Sequence, residues 1–173
     1  MIRAFALAAL LAASLLVQAR GPESARIEVA FTPGEDVSDL IARRIARARE
    51  SVRMQAYLFN DWHIAGALFA AMRRGVEVEV VADAAQHASG GLPVLAPLRR
   101  AGAHVYLDAD HAASHNKIVI VDGATVITGS YNFTQAAQSR NAENVVVISG
   151  SRAIADRFVK NFEYHRSQSA PWP

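Results

Sequence analysis

The chain has 173 residues, 51% of them hydrophobic, which is material for one compact domain with a proper core and too little for two domains and a linker. Its 18 lysines and arginines against 16 acids leave a formal charge of +2, which by itself announces no nucleic-acid binder. The absence of cysteine excludes a disulfide scaffold, a thiol nucleophile and cysteine-ligated zinc, so six histidines are left to carry the chemistry.

In chain order, Arg3 precedes an uncharged run from Ala4 to Val17 that ends in Val17-Gln18-Ala19. This is the pattern of a secretory signal with an A-x-A-like cleavage site, short for a membrane span, which needs about 20 apolar residues, with an uncleaved N-terminal anchor as the alternative. Cleavage after Ala19 would place the mature chain in the periplasm or the medium, with no stable membrane insertion. It removes one base and no acid, leaving a charge near neutrality. The expected organisation is a signal peptide over 1–19, a short linker over 20–25, one domain over 26–167 and a tail over 168–173.

Alternation over 26–31 predicts a first strand, ended by Pro33-Gly34. Asp36 then caps a helix with the apolar stripe Val37, Leu40, Ile41 and Ile45. A second strand over 52–59 leads to a helix capped by Asp61, striped by Ile64, Leu68, Phe69 and Met72 and closed by Gly75. A third strand over 76–81, a Gly90-Gly91 loop, a short helix over 94–100 and a strand over 104–107 follow. Segments 117–121 and 125–128, joined by Asp122-Gly123-Ala124, read as a β-hairpin; 145–149 reads as a last strand and 152–165 as a last helix. This alternation predicts an α/β fold, a mixed β-sheet flanked by helices on both faces.

Within the hairpin region stands His115-Asn116-Lys117, then Asp122, then Gly129-Ser130-Tyr131-Asn132, spaced as H-x-K-x4-D-x6-G-S-x-N. His115 and Lys117 share strand parity and project to one face, while Gly129 frees the backbone where the second strand ends. Ser130 and Asn132 can then join them. An imidazole nucleophile, an ammonium and an amide for two non-bridging oxygens, and a hydroxyl to fix the group suit a phosphodiester. Taken singly, each of these residues reads as a solvated or turn residue; their joint spacing reverses that reading. Asp122-Gly123 alone is a tight turn, and Asp122 stays closer to a turn-stabilising role than the others.

With this signature the chain resembles the phospholipase D superfamily, and is most similar to its small bacterial endonucleases that carry one copy of the motif. The segments Met54-Gln55-Ala56-Tyr57-Leu58-Phe59, Arg74-Gly75-Val76-Glu77-Val78, Asn132-Phe133-Thr134 and Asn141-Ala142-Glu143-Asn144 extend the resemblance over nearly the whole mature chain. It implies the α-β-α sandwich of that superfamily and a ping-pong reaction: His115 attacks phosphorus, and a second histidine protonates the leaving oxygen. With one signature per chain, it implies a homodimer in which two His115 side chains face each other across a two-fold axis. Coupled titration of the two rings would then give a bell-shaped pH profile. Glu143 is the residue that the resemblance offers for accepting a hydrogen bond from the far ring nitrogen of His115. Asp122 belongs to the signature. The candidate catalytic set is therefore His115, Lys117, Asp122, Ser130, Asn132 and Glu143, with no cofactor and no metal.

Asp108, Asp110 and His111 could suggest a metal site, but three such residues in a polar loop read first as solvent-exposed. Tyr57, Phe59 and Trp62 read as core or rim packing, with one of them stacking on a nucleobase near the groove as the alternative, and Arg73-Arg74 and Arg99-Arg100 as solvated pairs that could also track a nucleic-acid backbone. Zinc-protease, P-loop and serine-esterase motifs are absent from the sequence. The substrate expectation is DNA, with RNA as a further candidate, because a site holding only phosphate reads no base. Phospholipid stands second, since it calls for an apolar patch beside His115 that the sequence does not display. A catalytically silent nucleic-acid-binding module is the alternative from another class.

Overall fold

The computed structural model describes residues 24–173, so the expected signal peptide lies outside the described residues. The strands are β1 (Arg26–Thr32), β2 (Ser51–Ala56), β3 (Glu77–Asp83), β4 (His104–Asp108), β5 (Lys117–Val121), β6 (Thr125–Gly129), β7 (Glu143–Ser149) and β8 (Ala170–Pro171). The helices are α1 (Val37–Ala46), α2 (Trp62–Arg73), α3 (Ala84–Ala88), α4 (Leu95–Arg100), α5 (Gln135–Ser139) and α6 (Arg152–Gln168). All eight strands form one mixed sheet in the order β1-β7-β6-β5-β2-β3-β4-β8.

Local chemistry accounts for the element boundaries. Asp36 accepts a hydrogen bond from Asp39 N at the start of α1, and Asp61 accepts from His63 N and Ile64 N at the start of α2. The two parallel pairs, β2 with β3 and β3 with β4, are joined by helical crossovers, whereas β5, β6 and β7 run antiparallel, β5 and β6 through a tight turn and β6 and β7 through the longer connection that carries α5. β5 is buried along its whole length, which is why its sequence, Lys-Ile-Val-Ile-Val, shows a continuous run rather than alternation.

One face of the sheet presents Val52, Met54, Val80, Val119, Ile127, Val145 and Val147 to the large core that α1 and α2 complete. The other presents Val81, Ile118 and Ile120 to Phe158 and Phe162 of α6. The helices thus cover both faces, as the sequence predicts. α6 does not reach the edge strand, where Ile27, Val29 and Phe31 remain 63%, 52% and 55% exposed. Among the described residues no helix is long and apolar enough to cross a membrane.

The C-terminal segment departs from expectation. Residues 168–173 were expected as a tail, but Ala170 and Pro171 pair with Leu107 and Tyr106, and Trp172 N donates to Val105 O at 2.9 Å. The Trp172 ring packs against the large core, 4.5 Å from the His87 ring and 5.8 Å from the Arg99 guanidinium. A two-residue strand carries no periodic signal, so pattern reading misses it. The five-residue helices α3 and α5 escape it for the same reason.

Gly129 ends β6 where the chain passes closest to β7. A Cβ there would lie 2.1 Å from Asn144 O, a backbone atom that cannot swing aside. Gly129→Ala is expected to cost on the order of 3 kcal/mol, read as a lower melting temperature by calorimetry.

Candidate active site

Lys117 opens β5, Gly129 closes β6 and Glu143 opens β7, so the strand registers bring all three to one end of the sheet. Side-chain alternation turns Lys117 and Glu143 to the same face. His115 precedes β5 in an exposed position, whereas Lys117 is 7% exposed.

The imidazole is fixed from two sides. Its ring lies 4.3 Å from that of Tyr57, centroid to centroid, and its Nδ1 lies 3.0 Å from Lys117 Nζ. Lys117 Nζ also donates to His115 O at 2.9 Å and sits 4.9 Å from the Tyr57 ring, so the aromatic face supports both groups. Buried Asp83 sets these supports: Oδ2 accepts from Ser114 N at 2.7 Å, and Oδ1 accepts from Gln86 N at 2.7 Å. Gln86 Nε2 then donates to the Tyr57 hydroxyl at 2.9 Å. One carboxylate thereby ties down the residue before His115 and, through Gln86, the ring beneath it.

Burial lowers the Lys117 ammonium to about 8, with the charge of Glu143 acting partly against that shift. The site therefore keeps an ammonium that is only modestly favoured near neutrality. Its desolvation leaves its charge poorly screened.

Glu143 does not make the hydrogen bond to His115 that the sequence led us to expect. Its Oε2 accepts from the Ser130 hydroxyl at 2.5 Å and its Oε1 from Asn141 Nδ2 at 2.9 Å. The His115 ring nitrogen that faces into the chain meets Lys117 instead. Ser130 Oγ also accepts from Asn144 N at 3.0 Å and from Asn144 Nδ2 at 3.3 Å, so its hydroxyl is fully engaged. Asn132 is half-buried and its Oδ1 is buried with no hydrogen-bond partner among the described residues.

Asp122 is not brought to this cluster. It stands beyond the other end of β5, about 16 Å along the strand from Lys117 at the usual rise per residue. It turns the hairpin with φ of +52°, and its carboxylate accepts from the backbone N–H groups of Arg49, Glu50 and Ser51. Burial would raise its carboxyl pKa, but these three donors outweigh burial and hold it below the usual carboxylate range. Asp122→Ala is expected to cost about 2–3 kcal/mol of stability in urea unfolding while leaving turnover per folded molecule unchanged.

Sequence reasoning left out Tyr57, Gln86 and Asp83 as parts of the site. Tyr57 stood inside a quoted segment, and its place one residue past β2, at the same sheet end as Lys117, was the available signal. Asp83 and Gln86 gave none, because the short helix that Asp83 caps was itself unseen. Asp108, Asp110 and His111 were read together as solvent-exposed loop residues, but Asp108 ends β4 with its carboxylate buried between His111 and His165.

Comparison with known proteins places the fold in a family. The family description "Cardiolipin synthase, PLD-like domain" fits residues 41–166. A protein named phospholipase D from Rickettsia felis is 40% identical over 137 residues, covering 79% of this chain and 68% of the relative. Mitochondrial cardiolipin hydrolase of Xenopus tropicalis is 34% identical over 119 residues, 69% of this chain and 56% of the relative. Among solved structures, the phospholipase D family member Nuc from Salmonella typhimurium superposes with a TM-score of 0.80 at 32% identity, covering 86% of this chain and 99% of Nuc. NucT from Helicobacter pylori shares the fold, with a TM-score of 0.77 at 19% identity over 86% of this chain and all of that one. A histidine and a buried lysine on one end of an eight-stranded mixed sheet, in a chain matched over most of its length, leave one assignment: the chain belongs to the phospholipase D superfamily and is a phosphodiesterase of its PLD-like type.

Proposed function

We propose that this phosphodiesterase hydrolyses nucleic acid, DNA first and RNA as a further substrate, through a phosphohistidine on His115. The observation that carries the reading is the exposed imidazole held against Tyr57 with its Nδ1 on Lys117. In that pose the ammonium occupies Nδ1, and the outward nitrogen is the one that can meet phosphorus. A bound phosphate offers Lys117 a full negative charge and draws its donors from Nδ1 to a non-bridging oxygen. The neutral ring then places its proton on Nδ1 and frees the outward lone pair for attack. Phosphorus–oxygen cleavage follows, with a proton delivered to the leaving oxygen, and water later releases the phosphate from His115.

The proton donor in this scheme is His115 of a second copy. Two features support the dimer: one signature per chain, and a nucleophile that lies open to solvent, as a half-site would. Lys117 and Asn132 address phosphate and leave sugar and base unread, which favours a polymer gripped by its backbone. Localisation in the periplasm or the medium follows from the expected signal peptide.

A second substrate reading has its own observation. Phe31 pairs with Asn144, whose amide touches Ser130, so the exposed row Phe31, Val29 and Ile27 begins at the same end of the sheet as the site, on the opposite face from Lys117. The sequence did not display this patch, because it becomes visible only when α6 is seen to stop short of β1. Such a row would suit a phospholipid surface.

The deciding assay follows cleavage of plasmid and single-stranded DNA, and of anionic phospholipid vesicles, in excess EDTA. DNA cleavage that persists in EDTA supports the nucleic-acid reading. Intact DNA with hydrolysed lipid transfers the site to phospholipid, and activity that requires added metal overturns the histidine mechanism.

A further inference from the structure

Away from His115 the fold gathers a second set of donors that the phosphodiester chemistry does not use. Asp108 ends β4, His111 lies in the loop that follows, and His165 comes from α6. His111 Nδ1 is 3.0 Å from Asp108 Oδ1, and His165 Nδ1 is 3.2 Å from Asp108 Oδ2. The three ligand atoms lie within 4.8 Å of one another, and the two rings are 4.9 Å apart.

The Asp108 side chain is 0% exposed, that of His165 11% and that of His111 38%. The Asp108 carboxylate is closed off from solvent and faces Nδ1 of both imidazoles. Among the described residues no lysine or arginine pairs with it. A buried negative charge is thus faced by two imidazoles and no permanent cation, which is a costly arrangement unless a positive charge is supplied.

We propose that Asp108, His111 and His165 bind one divalent transition-metal ion of the zinc type. Two imidazole nitrogens and a carboxylate are a donor set that suits such an ion, with a fourth position left for water. Ligands at zinc bond lengths stand roughly 3.3 Å apart around a tetrahedron. The two histidine–carboxylate spacings are already close to this, and a small rotation of loop-borne His111 brings its ring toward His165. Each neutral ring coordinates through Nδ1 and carries its proton on Nε2, so binding needs no redox or proton partner. The ion would clip α6 to the end of β4 and order the loop that leads to His115. It takes no part in the reaction, which keeps this inference separate from metal-independent hydrolysis at His115.

The test is zinc titration of the EDTA-stripped and dialysed protein by calorimetry, with melting temperature as a second readout and cobalt absorption as a third. One equivalent is expected to bind and, at a hundredfold excess over Kd, to raise the melting temperature by about 5–10 °C. His111→Ala and His165→Ala are each expected to weaken binding by roughly 100-fold and to abolish the shift. His63→Ala, at the separate His63–Asp39 surface pair, should leave both unchanged. Cobalt should give a visible band of tetrahedral intensity in the wild type and lose it in His111→Ala, whose exposed position makes a folding defect easy to exclude in EDTA. Failure to bind one equivalent, or binding that survives both ligand variants, overturns the site and reduces the cluster to hydrogen bonds.

Discussion

Replacing His115 by alanine is expected to abolish phosphodiester hydrolysis, by about 10⁵-fold or more, while the melting temperature changes little. The first half follows from its proposed double duty. If the two copies share a site, one substitution removes both the nucleophile and the acid, and residues that act as a unit lose nearly everything together. The second half follows from its placement: the ring is exposed and rests on Tyr57 without filling the core, so stability should fall by about 1 kcal/mol or less. Single-turnover cleavage assays beside calorimetry check both halves. Turnover in the variant within tenfold of wild type would remove His115 from the mechanism.

The second large effect is expected at Lys117, with opposite signs for activity and stability. Lys117→Met should lower turnover by about 10³-fold, because the proposed ammonium for the non-bridging oxygens is gone. It should also make the protein more stable by about 1–3 kcal/mol near pH 7, since the native pKa of about 8 lies below the unfolded value of 10.5. A cation whose pKa is depressed by folding costs stability in full below the native pKa. That cost fades between about 8 and 10.5 and is gone above. Wild-type stability should therefore rise across this window while activity falls through its lower edge as the ammonium is lost. The methionine variant should show neither trend. Urea unfolding and rate measurements from pH 7 to 10.5 provide the check, and a variant no more stable than wild type would show that burial does not strain the charge.

The sequence made the fold legible wherever amphipathic period and capping residues agreed, as at Asp36 and Asp61, each of which caps the helix it was expected to cap. The hairpin was legible because Asp122-Gly123 demands left-handed backbone, and both residues adopt positive φ. What escaped was structure that depends on distant partners. β8 exists only because β4 offers an edge to pair with, and α3 only because Asp83 caps it. In the site, His115 and Lys117 could be placed together from parity alone. Glu143 could not be assigned a partner in this way, because its preference for Ser130 and Asn141 is set by how the start of β7 crosses the end of β6. His165 joined Asp108 from 57 positions away for the same reason: no local pattern encodes a helix side chain reaching a strand end.

The strand order has a consequence for how the molecule comes into being. β1 is made first, yet its single neighbour in the sheet is β7, which is made near the end. During synthesis the first strand must wait, its backbone edge unpaired, until nearly every other element has emerged. Such long-range closure is slow. The turn at Asp122 likewise seizes backbone donors more than seventy positions earlier, so the hairpin that bears Lys117 is locked only when the early half has docked. A shortened chain lacking β7 would lose the partner of its first strand together with Glu143. Assembly of the sheet and completion of the proposed site are consequently coupled, because the strand that pairs with β1 is also the one that brings Glu143.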